Sequence, residues 1–265
     1  MLFFKRFNLC ILLFLTLTSC TLKEAQPPPV IPEVPVQPPQ KPAKIALVLG
    51  AGASRGFAHV GVLKILEAHR IPIHLIVGTS VGSVVGSLYA YGFNAFDLQK
   101  ISFAIEQKDI VDVTIPDNGF IKGEKLEEFV NKTVKNTPME KMKIPFYAVA
   151  TEIQGGQEIV FGRGNTGQAV RASCSIPGVF RPVKIGDKVY VDGGVVSPVA
   201  VDAAKRLGTD VVLAVDISAS SERTPPGNTI ETLLQSINIM YSRLAAIQLS
   251  QADVVIRPKV GHIGS

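Results

Sequence analysis

Leu75-Ile76-Val77-Gly78-Thr79-Ser80-Val81-Gly82 passes from an apolar run through a pinched turn, then enters the small-residue stretch Ser83-Val84-Val85-Gly86-Ser87. This reads as strand, turn and helix, with the Ser80 hydroxyl at the apex. Gly78 and Gly82 sit two positions either side of the serine, where backbone presses close and a Cβ would clash. The turn lifts Oγ out of the protein and aims the free N–H groups of a helix N-terminus at it. That is the pattern of a nucleophile elbow.

Two further stretches have chemistry of the same kind. Gly50-Ala51-Gly52-Ala53-Ser54-Arg55-Gly56 follows the apolar run Ile45-Ala46-Leu47-Val48-Leu49, and Val60, Leu63, Leu66 and Glu67 then fall at helical spacing. A strand that ends in a Gly-rich loop at a helix N-terminus offers backbone amides to an anion. The spacing of Gly50, Gly52 and Gly56 is not G-x-G-x-x-G, and no acidic residue closes the next strand, so a dinucleotide site is excluded. Asp192-Gly193-Gly194 follows the alternating segment Lys188-Val189-Tyr190-Val191, and two glycines let that aspartate approach another side chain closely.

With these motifs in view, the run from Lys44 to about Ile217 resembles the patatin-like phospholipase family of bacterial type. The stretch 49–63 is similar to its oxyanion loop, 78–82 to its nucleophile elbow and 192–194 to its D-G-[AG] motif. Ala169-Val170-Arg171-Ala172-Ser173-Cys174-Ser175-Ile176-Pro177-Gly178-Val179-Phe180 resembles the connector that precedes the aspartate strand. Ala51 and Ala53 depart from the glycines of the richest versions of the loop. Alanine keeps its amide, so the change at Ala53 matters only if the loop requires positive φ there. The resemblance implies hydrolysis of phospholipid or lysophospholipid acyl esters through a transient acyl-Ser80. Asp192 would be the base, the amides of Gly52, Ala53 and Arg55 the oxyanion hole, and no cofactor or metal is implied. General carboxylesterase activity stands beside this as an alternative. So does a non-catalytic lipid-binding envelope scaffold, although such a scaffold usually loses its nucleophile or base and this chain keeps both.

A Ser-Asp dyad lacks the histidine of a triad. Of His59, His69, His74 and His262, only His262 follows Asp192 in the order an α/β-hydrolase requires, and it lies three residues from the chain end. A carboxylate of ordinary pKa is a weak base toward a hydroxyl, so the oxyanion hole must carry much of the barrier. Arg55 would add positive charge there, or else pair with a surface carboxylate. Asp216 reads as a strand-end turn residue, and no cysteine or histidine spacing suggests a metal.

The N-terminus carries Lys5 and Arg6 ahead of an apolar stretch from Phe7 to Leu17 that is too short to span a bilayer. Leu17-Thr18-Ser19-Cys20 resembles a bacterial lipobox, which implies a signal peptide over 1–19 and a lipid-modified Cys20. Thr21 rather than aspartate follows, so the sorting resemblance favours the outer membrane, facing the periplasm, in a Gram-negative source. Pro27-Pro28-Pro29, Pro32, Pro35, Pro38-Pro39 and Pro42 make 20–44 a spacer of polyproline II character, reaching roughly 60 Å at ~3.1 Å per residue. After cleavage only Cys174 and the lipidated Cys20 remain of three cysteines, and the formal charge falls from +5 to +3 with Lys5 and Arg6. That balance suits an anionic membrane surface and gives no case for nucleic acid.

The remainder, 45–265, is expected to be one α/β domain of three layers, α/β/α, around a mostly parallel sheet. Strands are expected at 45–49, 75–77, 146–150, 158–161, 189–191, 211–215 and 254–256. Helices are expected at 57–69, 81–91, 95–106, 123–133, 166–172, 198–207 and 230–251. The irregular segment 93–142 is a candidate lid or acyl pocket, or else an ordinary core connection. The resemblance also implies a further helix after the last strand, so the chain reads as a short version or a fragment.

Overall fold

Strands that are apolar on both faces form the centre of the protein. The computed structural model describes residues 41–115, 118–218 and 225–260; residues 1–40 with Cys20, and His262, lie outside them. From Pro42 onward the chain forms one compact unit. Its strands are β1 (Ile45–Leu49), β2 (Leu75–Thr79), β3 (Phe146–Glu152), β4 (Gln157–Phe161), β5 (Val183–Ile185), β6 (Lys188–Asp192), β7 (Val211–Val215) and β8 (Val254–Ile256). The helices are α1 (Phe57–Ala68), α2 (Val81–Tyr91), α3 (Ala95–Ala104), α4 (Gln107–Ile110), α5 (Glu124–Thr133), α6 (Thr166–Ser173), α7 (Val201–Arg206) and α8 (Thr229–Leu249).

Strands β3, β2, β1, β7 and β8 pair in parallel. Alternation sorts their side chains into two cores. Leu47, Leu49, Ile76, Phe146, Leu213 and Val215 pack with α1, α2, α3, α5 and α6 on one face. Ala46, Val48, Leu75, Val77, Val212 and Ala214 pack with α7 and with Ala245 and Leu249 of α8 on the other. The result is the three-layer α/β/α arrangement, and it explains the near absence of polar residues in β1, β2 and β7.

Strands β4, β5 and β6 depart from the parallel scheme: β4 and β6 run antiparallel to β3, and β5 antiparallel to β6. Strand β5 was not expected, because three residues between Pro182 and Gly186 are too short for a readable pattern. Helix α7 begins at Val201 rather than 198. Ala200, which precedes it, has φ −74 and ψ 57, outside the helical region, and the Pro198 carbonyl is held by the Ala51 amide at 2.8 Å.

The pairing along β3 decides where the site forms. Ala148 has Gly78 of β2 on one side and Phe161 of β4 on the other. Two residues on, Ala150 has Ile159 of β4 on that second side and Asp192 of β6 on the first. Strand β6 therefore takes over the edge of β3 that β2 leaves, and the ends of the two strands meet. Gly193 makes the junction passable, since a Cβ there would overlap the Val149 carbonyl and crowd Thr79 Cγ2 at 3.1 Å. Gly193→Ala is expected to destabilise the fold by about 2–4 kcal/mol in urea melts. Gly61→Ala, on α1 with open space around it, should instead stabilise it by up to about 1 kcal/mol.

Candidate active site

Ser80 occupies the step from β2 to α2 with φ 53 and ψ −128, a conformation that L side chains rarely adopt. Its neighbours are arranged to hold it there. The Ser80 amide donates to Ser173 Oγ at 2.9 Å, and the Ser80 carbonyl accepts from Ser83 N at 2.8 Å and Ser83 Oγ at 2.6 Å. The tight passage needs both flanking glycines. A Cβ on Gly78 would lie 2.5 Å from Ser83 Cα, and one on Gly82 would overlap the Leu49 carbonyl.

Asp192 is fully buried, and its Oδ2 accepts from Ser80 Oγ at 2.6 Å. Oδ1 accepts from the Gly194 amide at 2.7 Å. Burial is the largest influence on the carboxyl and pushes its pKa up to about 6, while the hydrogen bonds from Ser80 and Gly194 pull the other way, as does the nearby Tyr241 hydroxyl. The Asp192 backbone is fixed on both sides, with its amide on the Ser175 carbonyl at 2.8 Å and its carbonyl accepting from Thr151 Oγ1 at 3.0 Å. The connector 169–180 thus holds both members of the pair, Ser80 through Ser173 and Asp192 through Ser175. In the sequence that block stands out only by its resemblance, since nothing local distinguishes these serines from surface ones.

The Gly-rich loop lies alongside. Amides of Gly50 and Ala51 are taken by the Val215 and Pro198 carbonyls at 3.0 and 2.8 Å, and the Arg55 amide by the Gly52 carbonyl at 3.1 Å. In this conformation the Arg55 amide is turned into its own loop, which leaves Gly52 and Ala53 as the amides that no described residue accepts from. Ala53 does adopt positive φ, 48°, which costs an alanine roughly 1–2 kcal/mol. The Arg55 side chain is buried rather than on the surface, and lines the same cavity as Ser80.

Behind the loop, His59 is fully buried with Nε2 2.8 Å from the Gly50 carbonyl, and burial lowers its pKa to about 4, so it is neutral. His74 Nδ1 accepts from the Ile45 amide at 3.0 Å. Among the described residues no histidine bonds Ser80 or Asp192, nor do His, Cys, Asp and Glu cluster as a metal site. Asp216 serves a turn, accepting from Ser218 N at 2.9 Å and from Arg257 Nε at 3.2 Å.

A cavity of about 90 Å³ opens on Ser80, walled by the Gly-rich loop, Ile176, Ser218 and, from α8, Leu234, Ile237, Asn238 and Tyr241. Among the described residues none of its lining comes from 93–142, the candidate lid segment. Helix α8 covers the serine instead. The residue pattern over 230–251 predicts this helix but not its place at the site, because it joins through a long-range contact and carries no motif. Chemically, the arrangement offers a hydroxyl hydrogen-bonded to a water-excluded carboxylate, with two backbone amides nearby to receive negative charge.

The patatin-like phospholipase family model matches residues 47–205. A lysophospholipase, NTE1, of Scheffersomyces stipitis is 33% identical over 187 residues, covering 68% of this chain and 12% of the fungal protein. An uncharacterized NTE family protein of Mycobacterium bovis is 33% identical over 180 residues, covering 67% of this chain and 50% of the other. The chain therefore spans half or less of the length of these two relatives. Among solved structures, VipD from Legionella pneumophila superposes with a TM-score of 0.43 at 13% identity, over 73% of this chain and 52% of that one. The matched span 47–205 contains the Gly-rich loop, the Ser80 elbow, the serine connector and Asp192-Gly193-Gly194, and the chain belongs to the patatin-like phospholipase family.

Proposed function

We propose that the protein is a serine acyl hydrolase that cleaves fatty-acyl esters of phospholipids or lysophospholipids through a Ser80–Asp192 dyad. The observation that carries this reading is the 2.6 Å hydrogen bond from Ser80 Oγ to Asp192 Oδ2. Asp192 takes the Ser80 proton as Oγ attacks the ester carbon. The amides of Gly52 and Ala53 receive the oxyanion, and the buried Arg55 adds positive charge on the same side. Asp192 returns the proton to the departing alcohol, leaving acyl-Ser80, and then activates the water that releases the fatty acid. The lysophospholipase name of the fungal relative supports the lipid substrate.

The cavity size favours a second reading. At about 90 Å³ it is well below the roughly 300–1,000 Å³ of ordinary ligand sites, which suits a small soluble ester unless α8 moves aside. Fatty-acid release from mixed phospholipid micelles, compared with hydrolysis of a short soluble ester, separates the two. We expect release to rise when lipid is presented as an interface, whereas equal rates above and below the micelle concentration would favour the carboxylesterase. Fluorophosphonate labelling should vanish in Ser80→Ala, and turnover should vanish in both Ser80→Ala and Asp192→Asn. A folded wild type that neither labels nor releases fatty acid would leave a lipid-binding scaffold.

The buried carboxyl gives two pH effects of opposite sign. As a base it must be ionised, so kcat/KM should rise with pH through about 6. For stability, a carboxyl whose folded pKa is raised from 3.8 to about 6 favours the folded state at low pH and loses that contribution as pH rises between those values. Asp192→Asn should therefore match the wild type near pH 4 and exceed it at pH 8 by up to about 3 kcal/mol in urea melts, while being inactive.

We also propose that Cys20 is lipid-modified and anchors the protein in the bacterial cell envelope, at the outer membrane facing the periplasm if the source is Gram-negative. The Leu17-Thr18-Ser19-Cys20 sequence and the proline-rich spacer support this. Labelled palmitate should enter the wild type and not Cys20→Ser; equal incorporation, or none in either, would sink the assignment.

A further inference from the structure

Two of the hydrogen bonds to Asp192 come from residues within the motifs, Ser80 and Gly194. A third donor stands beside the carboxylate from a part of the chain beyond the matched span 47–205. Tyr241 lies on α8, 8% exposed, packed with Ala51, Ile176 and Ile237. Its ring lies directly over Gly194: a Cβ on that glycine would overlap Cε2 and fall 2.5 Å from Cζ, the carbon that bears the hydroxyl. Gly194 is also the residue whose amide reaches Asp192 Oδ1. The missing side chain at 194 thus lets the tyrosine hydroxyl come up to the carboxylate. That hydroxyl is buried, and no described residue meets it in normal hydrogen-bond geometry. Buried hydroxyls are seldom left in this condition, and hydrogen bonds in substrate-free sites are often long and tighten only when substrate is bound.

The surroundings of Asp192 explain why another donor matters. The groups that act on the carboxyl are Ser80 from the elbow, Gly194 from its own turn and Tyr241 from α8; none is a cation. Cys174, at the end of α6, also faces it, but burial pushes that thiol up and keeps it neutral. The carboxylate is thus held in its ionised form by neutral dipoles alone, against the full effect of burial. Each dipole lost raises its affinity for a proton.

We infer that Tyr241 is the positioning residue of the dyad, its hydroxyl closing on Asp192 as a third hydrogen-bond donor that keeps the base ionised and directed at Ser80. This rests on the Ser80–Asp192 reading above. Tyr241→Phe keeps the ring against Gly194 and removes only the hydroxyl. In the full chain, the acid limb of kcat/KM for micellar fatty-acid release should move up by about one pH unit. Activity near pH 6 should then fall about five- to tenfold and return to within about twofold of wild type at pH 9, with KM unchanged. A superimposable pH profile overturns the inference. A uniform loss at every pH with a lowered melting temperature also overturns it, since that is what a packing role alone would give.

A second measurement does not need activity and separates failure of the inference from failure of the dyad. If Tyr241 donates to Asp192, its loss raises the folded-state pKa, so more stability is lost between pH 5 and pH 8 in Tyr241→Phe than in wild type. In an Asp192→Asn background the same substitution should have no pH-dependent effect. Equal pH dependence in wild type and Tyr241→Phe would overturn the inference whatever the enzyme does. The predicted difference in a protein with no Ser80-dependent turnover would uphold the contact and reject the hydrolase.

Discussion

Where β2 leaves the edge of β3 after Thr79, β6 arrives from the opposite direction and takes the next pairing position with Asp192. Two residues 112 apart in sequence are thereby set end to end on one strand edge, and the 2.6 Å hydrogen bond between them follows from backbone register rather than from flexible side-chain reach. The features around the pair serve that meeting. Gly193 lets β6 finish against the Val149 carbonyl, Gly82 lets α2 start against the Leu49 carbonyl, and the serine connector fastens one backbone atom of each partner. Ser80 sits in a conformation that is unfavourable alone, and its carbonyl is tied down twice to keep it there.

The parallel part of this design was legible in the sequence because its cause is local. A strand buried on both faces must be apolar throughout, and β1, β2 and β7 say so in consecutive residues. The elbow was legible for a similar reason, since glycines flanking a serine between strand and helix have few other uses. The antiparallel flank was harder: β5 has three residues, and the direction in which β4 and β6 run depends on partners far along the chain. Ser173, Ser175 and Tyr241 were harder still. Ser173 ties the Ser80 amide to the Val149 carbonyl, Ser175 holds the Asp192 amide and Tyr241 packs over Gly194, all at long range. A serine or tyrosine in a helix or loop carries no periodic sign of what it will touch.

Charge is distributed unusually around the site. The imidazole of His59 lies beneath the Gly-rich loop, neutral, fixing the Gly50 carbonyl rather than exchanging protons with the serine. Among the described residues that line the cavity the cation is Arg55, on the loop side, and it is not among the groups that shift Asp192. Positive charge thus lies on the cavity wall with Gly52 and Ala53 and is not among the influences on the Asp192 carboxylate. In the reaction proposed above, the reverse arrangement, a cation on the carboxylate, would hold it ionised but weaken it as an acceptor of the serine proton.

Helix α8 supplies Leu234, Ile237, Asn238 and Tyr241 to the cavity, yet it lies wholly outside the span 47–205 that carries the family pattern. The polypeptide that makes the hydroxyl–carboxylate pair and the polypeptide that faces it are therefore separate stretches of the gene. Mutation can reshape the facing wall at Leu234, Ile237 and Asn238, while Tyr241 over Gly194, the elbow, the loop and the aspartate turn stay under their own steric constraints. Inheritance of the hydroxyl–carboxylate pair and diversification of what it meets can proceed at different rates in this chain.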